Sequence, residues 1–113
     1  MPRMGRSGIF ALVAASAVMM TAAAEGQEVG DARRGLAYAR SICAECHNVL
    51  DTGAASPSPW APPFKKIANT PGMSITALTV WSRTTHPNMP NFIIDPKDMD
   101  DLIAYILSLR ERK

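Results

Sequence analysis

Apolar positions recur at helical spacing in three stretches of the chain. Ala32, Gly35 and Leu36, Ala39, and Ile42 with Cys43 mark one face of a helix starting near Asp31, a good N-cap residue type. Gly35 inside this helix costs about 1 kcal/mol relative to alanine, which a close helix–helix contact would justify. Ser74 begins a second predicted helix, with Met73 and Leu78 at the spacing of a hydrophobic staple. Leu78 and Trp81 share a face, and the helix should end near Thr84 or Thr85, before His86-Pro87. The last helix carries the strongest signal. Asp95 caps it, Pro96 occupies its first position, and Met99, Leu102, Ile103, Ile106 and Leu109 form one apolar stripe. Asp98, Asp100 and Asp101 lie near its positive end, and Arg110, Arg112 and Lys113 near its negative end. Between the first two helices, residues 51–63 are dense in turn formers, including four prolines. Phe64 to Ala68 then forms one short helical turn, with Phe64 and Ile67 facing inward. No strand alternation and no repeat is visible, so the expected fold class is all-α.

The first 24 residues read differently. Arg3 and Arg6 precede an apolar run over residues 9–20, and Ala22-Ala23-Ala24 supplies small residues before Glu25. That order is a secretory signal peptide, with cleavage expected after Ala24. An uncleaved membrane anchor is the alternative, for which the run is short. A single domain of residues 25–113 would remain, 89 residues with a limited core of its own. The formal charge of +2 belongs to the whole chain. Without Arg3 and Arg6 the basic and acidic residues balance at ten each, which excludes a nucleic-acid footprint.

The chemistry is concentrated in residues 43–47, Cys43-Ala44-Glu45-Cys46-His47, a C-x-x-C-H motif that uses both cysteines of the chain. Two thiols at this spacing can form thioethers to the vinyl groups of one porphyrin, and His47 is placed to bind its iron. A zinc site wants four ligands, yet His86 is the only other histidine and no second cysteine pair exists. A redox dithiol would be expected beside a βαβ pattern, which is absent. A disulfide would close too small a loop to be of much entropic value. The expected cofactor is one covalently bound haem c. A haem would also give this small chain an apolar plate to fold around.

A sixth ligand to the iron could come from Met73, Met89, Met99 or His86. The staple explains Met73, and core packing explains Met99. Met89 lies in Pro87-Asn88-Met89-Pro90-Asn91, read as an extended segment held stiff by its prolines, which would pre-position a thioether. His86 is the runner-up, and a His/His site would have a lower potential than His/Met.

The chain resembles a small class I, mitochondrial-like c-type cytochrome in its bacterial periplasmic form. The resemblance rests on residues 30–35 leading to the C-x-x-C-H motif, on Ala61-Pro62-Pro63-Phe64, on His86-Pro87-Asn88-Met89-Pro90, and on residues 101–106. It implies three to four short helices around the haem, with the first and last crossing where Gly35 meets Tyr105. It further implies that the Pro62 carbonyl accepts a hydrogen bond from the non-ligating nitrogen of His47. The function so implied is one-electron transfer in the periplasm, with no substrate chemistry. Phe64, Trp81, Leu78 and Ile67 would wall the haem. Redox partner proteins would dock transiently on a monomer, with Lys65, Lys66 and Arg83 as candidate steering charges or simply solvated ones. The rival readings are a ligand-binding sensor or small peroxidase with an open distal site, and a haem subunit of a larger periplasmic dehydrogenase.

Overall fold

Asp31 opens the first helix by accepting hydrogen bonds from the backbone N–H groups of Arg33 (2.9 Å) and Arg34 (3.1 Å). Those donors have no partner within the helix, so the cap satisfies them. In the computed structural model, which describes residues 30–113, α1 runs Ala32–Tyr38 and widens into a π turn over Ala39–Cys43. The sequence predicts one continuous α-helix here. A π turn takes up about one more residue than an α-turn and so rotates the following positions: Ile42, expected on the inner face beside Cys43, is exposed, while Cys43 stays half-buried.

Helix α4, Pro96–Ser108, is capped by Asp95, whose side chain accepts from the Lys97 N–H (3.0 Å). Its buried face, Met99, Leu102, Ile103, Tyr105 and Ile106, forms the centre of the core, joined by Ala39, Val49, Phe64, Ala68, Leu78 and Leu109. Helix α1 packs directly on α4. At Gly35 the approach is backbone to backbone: a Cβ there would lie 1.9 Å from the Asp101 carbonyl oxygen. Gly30, with φ +108°, makes a similar approach, its Cβ position 2.2 Å from the Asp100 carbonyl oxygen.

The same seam contains a buried acid. The Asp101 carboxylate accepts from the Asp31 backbone N–H (2.6 Å), from Arg34 Nε (2.8 Å) and from Lys97 Nζ (3.2 Å). The Arg34 guanidinium, followed by the Asp31 N–H, holds its pKa well below the usual carboxylate range. Asp101 is therefore more than a charge near the helix N-terminus, as its sequence position suggests: it ties α1 to α4.

Two short helices complete the fold. Helix α2 spans Phe64–Ala68 and α3 spans Ile75–Arg83, the latter capped by Ser74 Oγ accepting from the Ala77 N–H (3.1 Å). Helix α3 stops at Arg83 because Thr84 turns extended (ψ 138°), while its hydroxyl donates back to the Val80 carbonyl (2.6 Å). Among the described residues there is no strand, and no helix is long and apolar enough to cross a membrane. The predicted leader of residues 1–24 lies outside the described residues.

Candidate haem-attachment site

The π turn delivers Cys43 to a tight turn. The backbone N–H groups of Cys46 and His47 both donate to the Cys43 carbonyl, at 3.2 and 2.9 Å. Both thiols are free; Cys43 is half-buried and Cys46 exposed. Burial pushes the Cys43 thiol up to about 11, so its sulfur is neutral. A thioether at that position would likewise carry no charge to desolvate.

The proline-rich loop folds back over this turn. Asn48 organises it, donating through Nδ2 to Thr52 Oγ1 (2.8 Å) and the Ala54 carbonyl (2.9 Å), while its N–H donates to Ser56 Oγ (2.9 Å). The Ser58 N–H donates to the Cys46 carbonyl (3.0 Å), and the Phe64 N–H to the Asn48 carbonyl (2.9 Å). These bonds bring the Pro62 carbonyl to 2.7 Å from His47 Nδ1. A carbonyl can only accept, so Nδ1 is the donor, and in the neutral ring Nε2 then keeps its lone pair. The Phe64 ring packs against His47 (centroids 5.3 Å apart) and against Tyr105 (6.5 Å). The Tyr105 hydroxyl donates to the Val49 carbonyl, tying α4 to the segment that follows the motif.

Met89 follows α3 in the chain. Its segment is a turn rather than the extended run expected: Asn88 is left-handed (φ 64°) and follows Pro87. Proline sets φ for the first central turn position, and asparagine tolerates positive φ at the second. The turn folds His86 against Met89, with Nε2 3.2 Å from the thioether sulfur. Trp81 meets the His86 ring edge-on, centroids 4.9 Å apart. Of the other candidate ligands, Met99 is buried in the core, and Met73 is half-buried with its carbonyl accepting from Arg110. Of the expected walls, Phe64 and Leu78 are buried, Ile67 is half-buried, and Trp81 is 57 % exposed.

The donor set suits a haem. Among the described residues no three His, Cys, Asp or Glu side chains cluster to hold an ion by themselves. A porphyrin brings its own four in-plane nitrogens, needing from the protein two thiols and axial donors. His47, with Nε2 free and two thiols on the same turn, is in the right form for that role.

The helical fold and this turn together define a c-type haem protein. Residues 23–110 match the family model described as cytochrome c, and the chain belongs to the cytochrome c family. It therefore holds covalently bound haem c and works as an electron carrier, not an enzyme. It is 38 % identical over 80 residues to cytochrome c-552 of Bradyrhizobium diazoefficiens, covering 71 % of this chain and 76 % of that one. It is 35 % identical over 80 residues to a cytochrome c-553-like protein of Synechocystis, covering 71 % and 70 % respectively. No solved structure matches the chain.

Proposed function

We propose that the protein is a periplasmic one-electron carrier whose Cys43 and Cys46 hold haem c through thioethers, with His47 and Met89 as its axial ligands. The observation that carries this reading is the 2.7 Å contact between His47 Nδ1 and the Pro62 carbonyl. It selects the tautomer that can ligate, orients the ring, and makes Nε2 a stronger donor. When bound, haem c supplies the Fe(III)/Fe(II) couple. The chain's own residues orient it, keep water away and tune its potential. A thioether from Met89 favours the ferrous state, and apolar burial beside Phe64 and Leu78 acts in the same direction.

Redox partner proteins, a reductase, an oxidase or a dehydrogenase of a respiratory chain, dock transiently on the monomer. Of the three candidate steering charges, Lys65 is engaged by Asp51 (2.9 Å) and Glu111 (3.7 Å), which leaves Lys66 and Arg83 exposed on the surface. Residues 1–24 act as a cleaved signal peptide that routes the chain to the periplasm, where haem is attached to the domain of residues 25–113.

Optical spectra of the purified holoprotein test the ligand set. Wild type should be low-spin in both states, with the weak far-red band of ferric thioether ligation. Met89→Ala should retain covalent haem and lose that band. Unchanged ligation in this variant would move the sixth ligand to His86 or Met73. High-spin ferric wild type that binds cyanide rapidly would overturn the carrier in favour of a ligand-binding haem protein. N-terminal sequencing of the exported chain tests cleavage after Ala24.

A further inference from the structure

We propose that His86 is a positioning residue for Met89: its Nε2–H donates to the thioether sulfur and sets which face of that sulfur is left to ligate. The inference rests on the reading of Met89 as an axial ligand.

Three features of the His86-Pro87-Asn88-Met89 turn carry it. The first is proximity. Pro87 and left-handed Asn88 bring positions 86 and 89 together, and Nε2 lies 3.2 Å from Sδ. The second is the tautomer. A thioether has no proton to give, so a bond between these atoms requires the proton on Nε2. The third is His86 Nδ1, which is buried without a hydrogen-bond partner. With the proton on Nε2, Nδ1 is a bare lone pair. With the proton on Nδ1, a buried donor would be stranded and two lone pairs would face each other across 3.2 Å. The first arrangement is the cheaper one. The edge-on contact with Trp81 keeps the ring from turning away.

Thioether sulfur has two lone pairs. One occupied by an N–H leaves the other for the metal, which narrows the rotamers from which Met89 can ligate. The N–H also withdraws electron density from sulfur. Ferric iron depends on that donation more than ferrous iron does, so the bond raises the reduction potential.

The experiment compares holoprotein of wild type, His86→Phe and His86→Gln by ferric spectrum and by reduction potential. Phenylalanine keeps a ring against Trp81 and removes the donor. Glutamine keeps an N–H at similar reach. The expected result is a lower potential and a displaced or weakened far-red band in His86→Phe, with both returned toward wild type in His86→Gln. Identical potentials and bands in wild type and His86→Phe would overturn the proposal. So would equal shifts in both variants, because that pattern belongs to packing beside Trp81 and not to the N–H. A wild-type spectrum without the far-red band would instead overturn the Met89 reading itself, and the proposal with it. If His86 were then the ligand, His86→Phe would become high-spin.

Discussion

Gly35→Ala tests whether the first and last helices meet backbone to backbone. The new methyl group would sit 1.9 Å from the Asp101 carbonyl oxygen, 2.6 Å from its carbon and 2.7 Å from Tyr105 Cβ. None of these atoms is the end of a flexible side chain, so α1 and α4 must separate. Reaching ordinary contact at 3.4 Å needs a shift of roughly 1.5 Å. Such a shift would also stretch the Asp31 N–H and Arg34 bonds to the Asp101 carboxylate, which cross the same seam. Overpacking of this kind costs about 3 kcal/mol, the upper part of its usual range, because backbone has to move. Alanine returns about 1 kcal/mol through its better helix propensity. The net loss is about 2 kcal/mol, equivalent to about 10 °C in Tm for a domain of this size. Thermal melts of the ferric holoprotein, followed by circular dichroism, read it directly. Gly53→Ala is the control, since nothing lies within 4 Å of its Cβ position, and it should stay within about 0.5 kcal/mol of wild type. A Gly35→Ala protein melting within about 2 °C of wild type would show that the helices do not pack as closely as described.

Tyr105→Phe removes the hydroxyl that bonds the Val49 carbonyl and should cost about 1–2 kcal/mol in denaturant titration while leaving the haem spectrum unchanged. Asp101→Asn should lower Tm at neutral pH and flatten its acid dependence. The folded-state pKa of Asp101 is depressed, so its contribution is present above the unfolded carboxylate value of about 3.9 and is lost as pH falls toward the lower folded value. Melts at several pH values below about 5 compare the two slopes, and parallel curves would count against the clamp. Cys43→Ala should leave at most one thioether, read as haem lost or loosened in denaturing mass spectrometry. Haem-free protein should lack a cooperative melt, because a domain this small has little core apart from its cofactor.

Legibility in the sequence follows the reach of each interaction. Asp31, Ser74 and Asp95 cap helices through contacts two or three residues away, and such signals are readable from a local window. The C-x-x-C-H motif is readable for the same reason. Asp101 is not. Its partners Asp31 and Arg34 lie 70 and 67 residues earlier, and its periodic position marks it only as one more acid near a helix start. The π turn is not legible either: the apolar pattern puts both Ile42 and Cys43 on the inner face, and the extra residue in the turn leaves Ile42 exposed. At Asn88 two local signals compete. Two prolines suggest stiffness, whereas Pro-Asn at the centre of a four-residue stretch also encodes a turn with positive φ.

That turn changes how the distal segment works. An extended proline-stiffened strand would present Met89 by rigidity alone. A turn that folds a histidine onto the same sulfur would, on the reading proposed above, present it through a directed bond and tie its position to one side chain. His47 has the same logic, its ring held by a carbonyl that the 51–63 loop brings from fifteen residues away. On the proposed ligand set, attachment would reside in five contiguous residues and orientation of the donors in the loops. Substitutions in those loops should shift potential and ligation geometry without removing the haem, whereas substitutions at the two cysteines should remove or loosen it. A loop substitution such as His86→Phe that released covalent haem would show that the two roles are not separable in this chain.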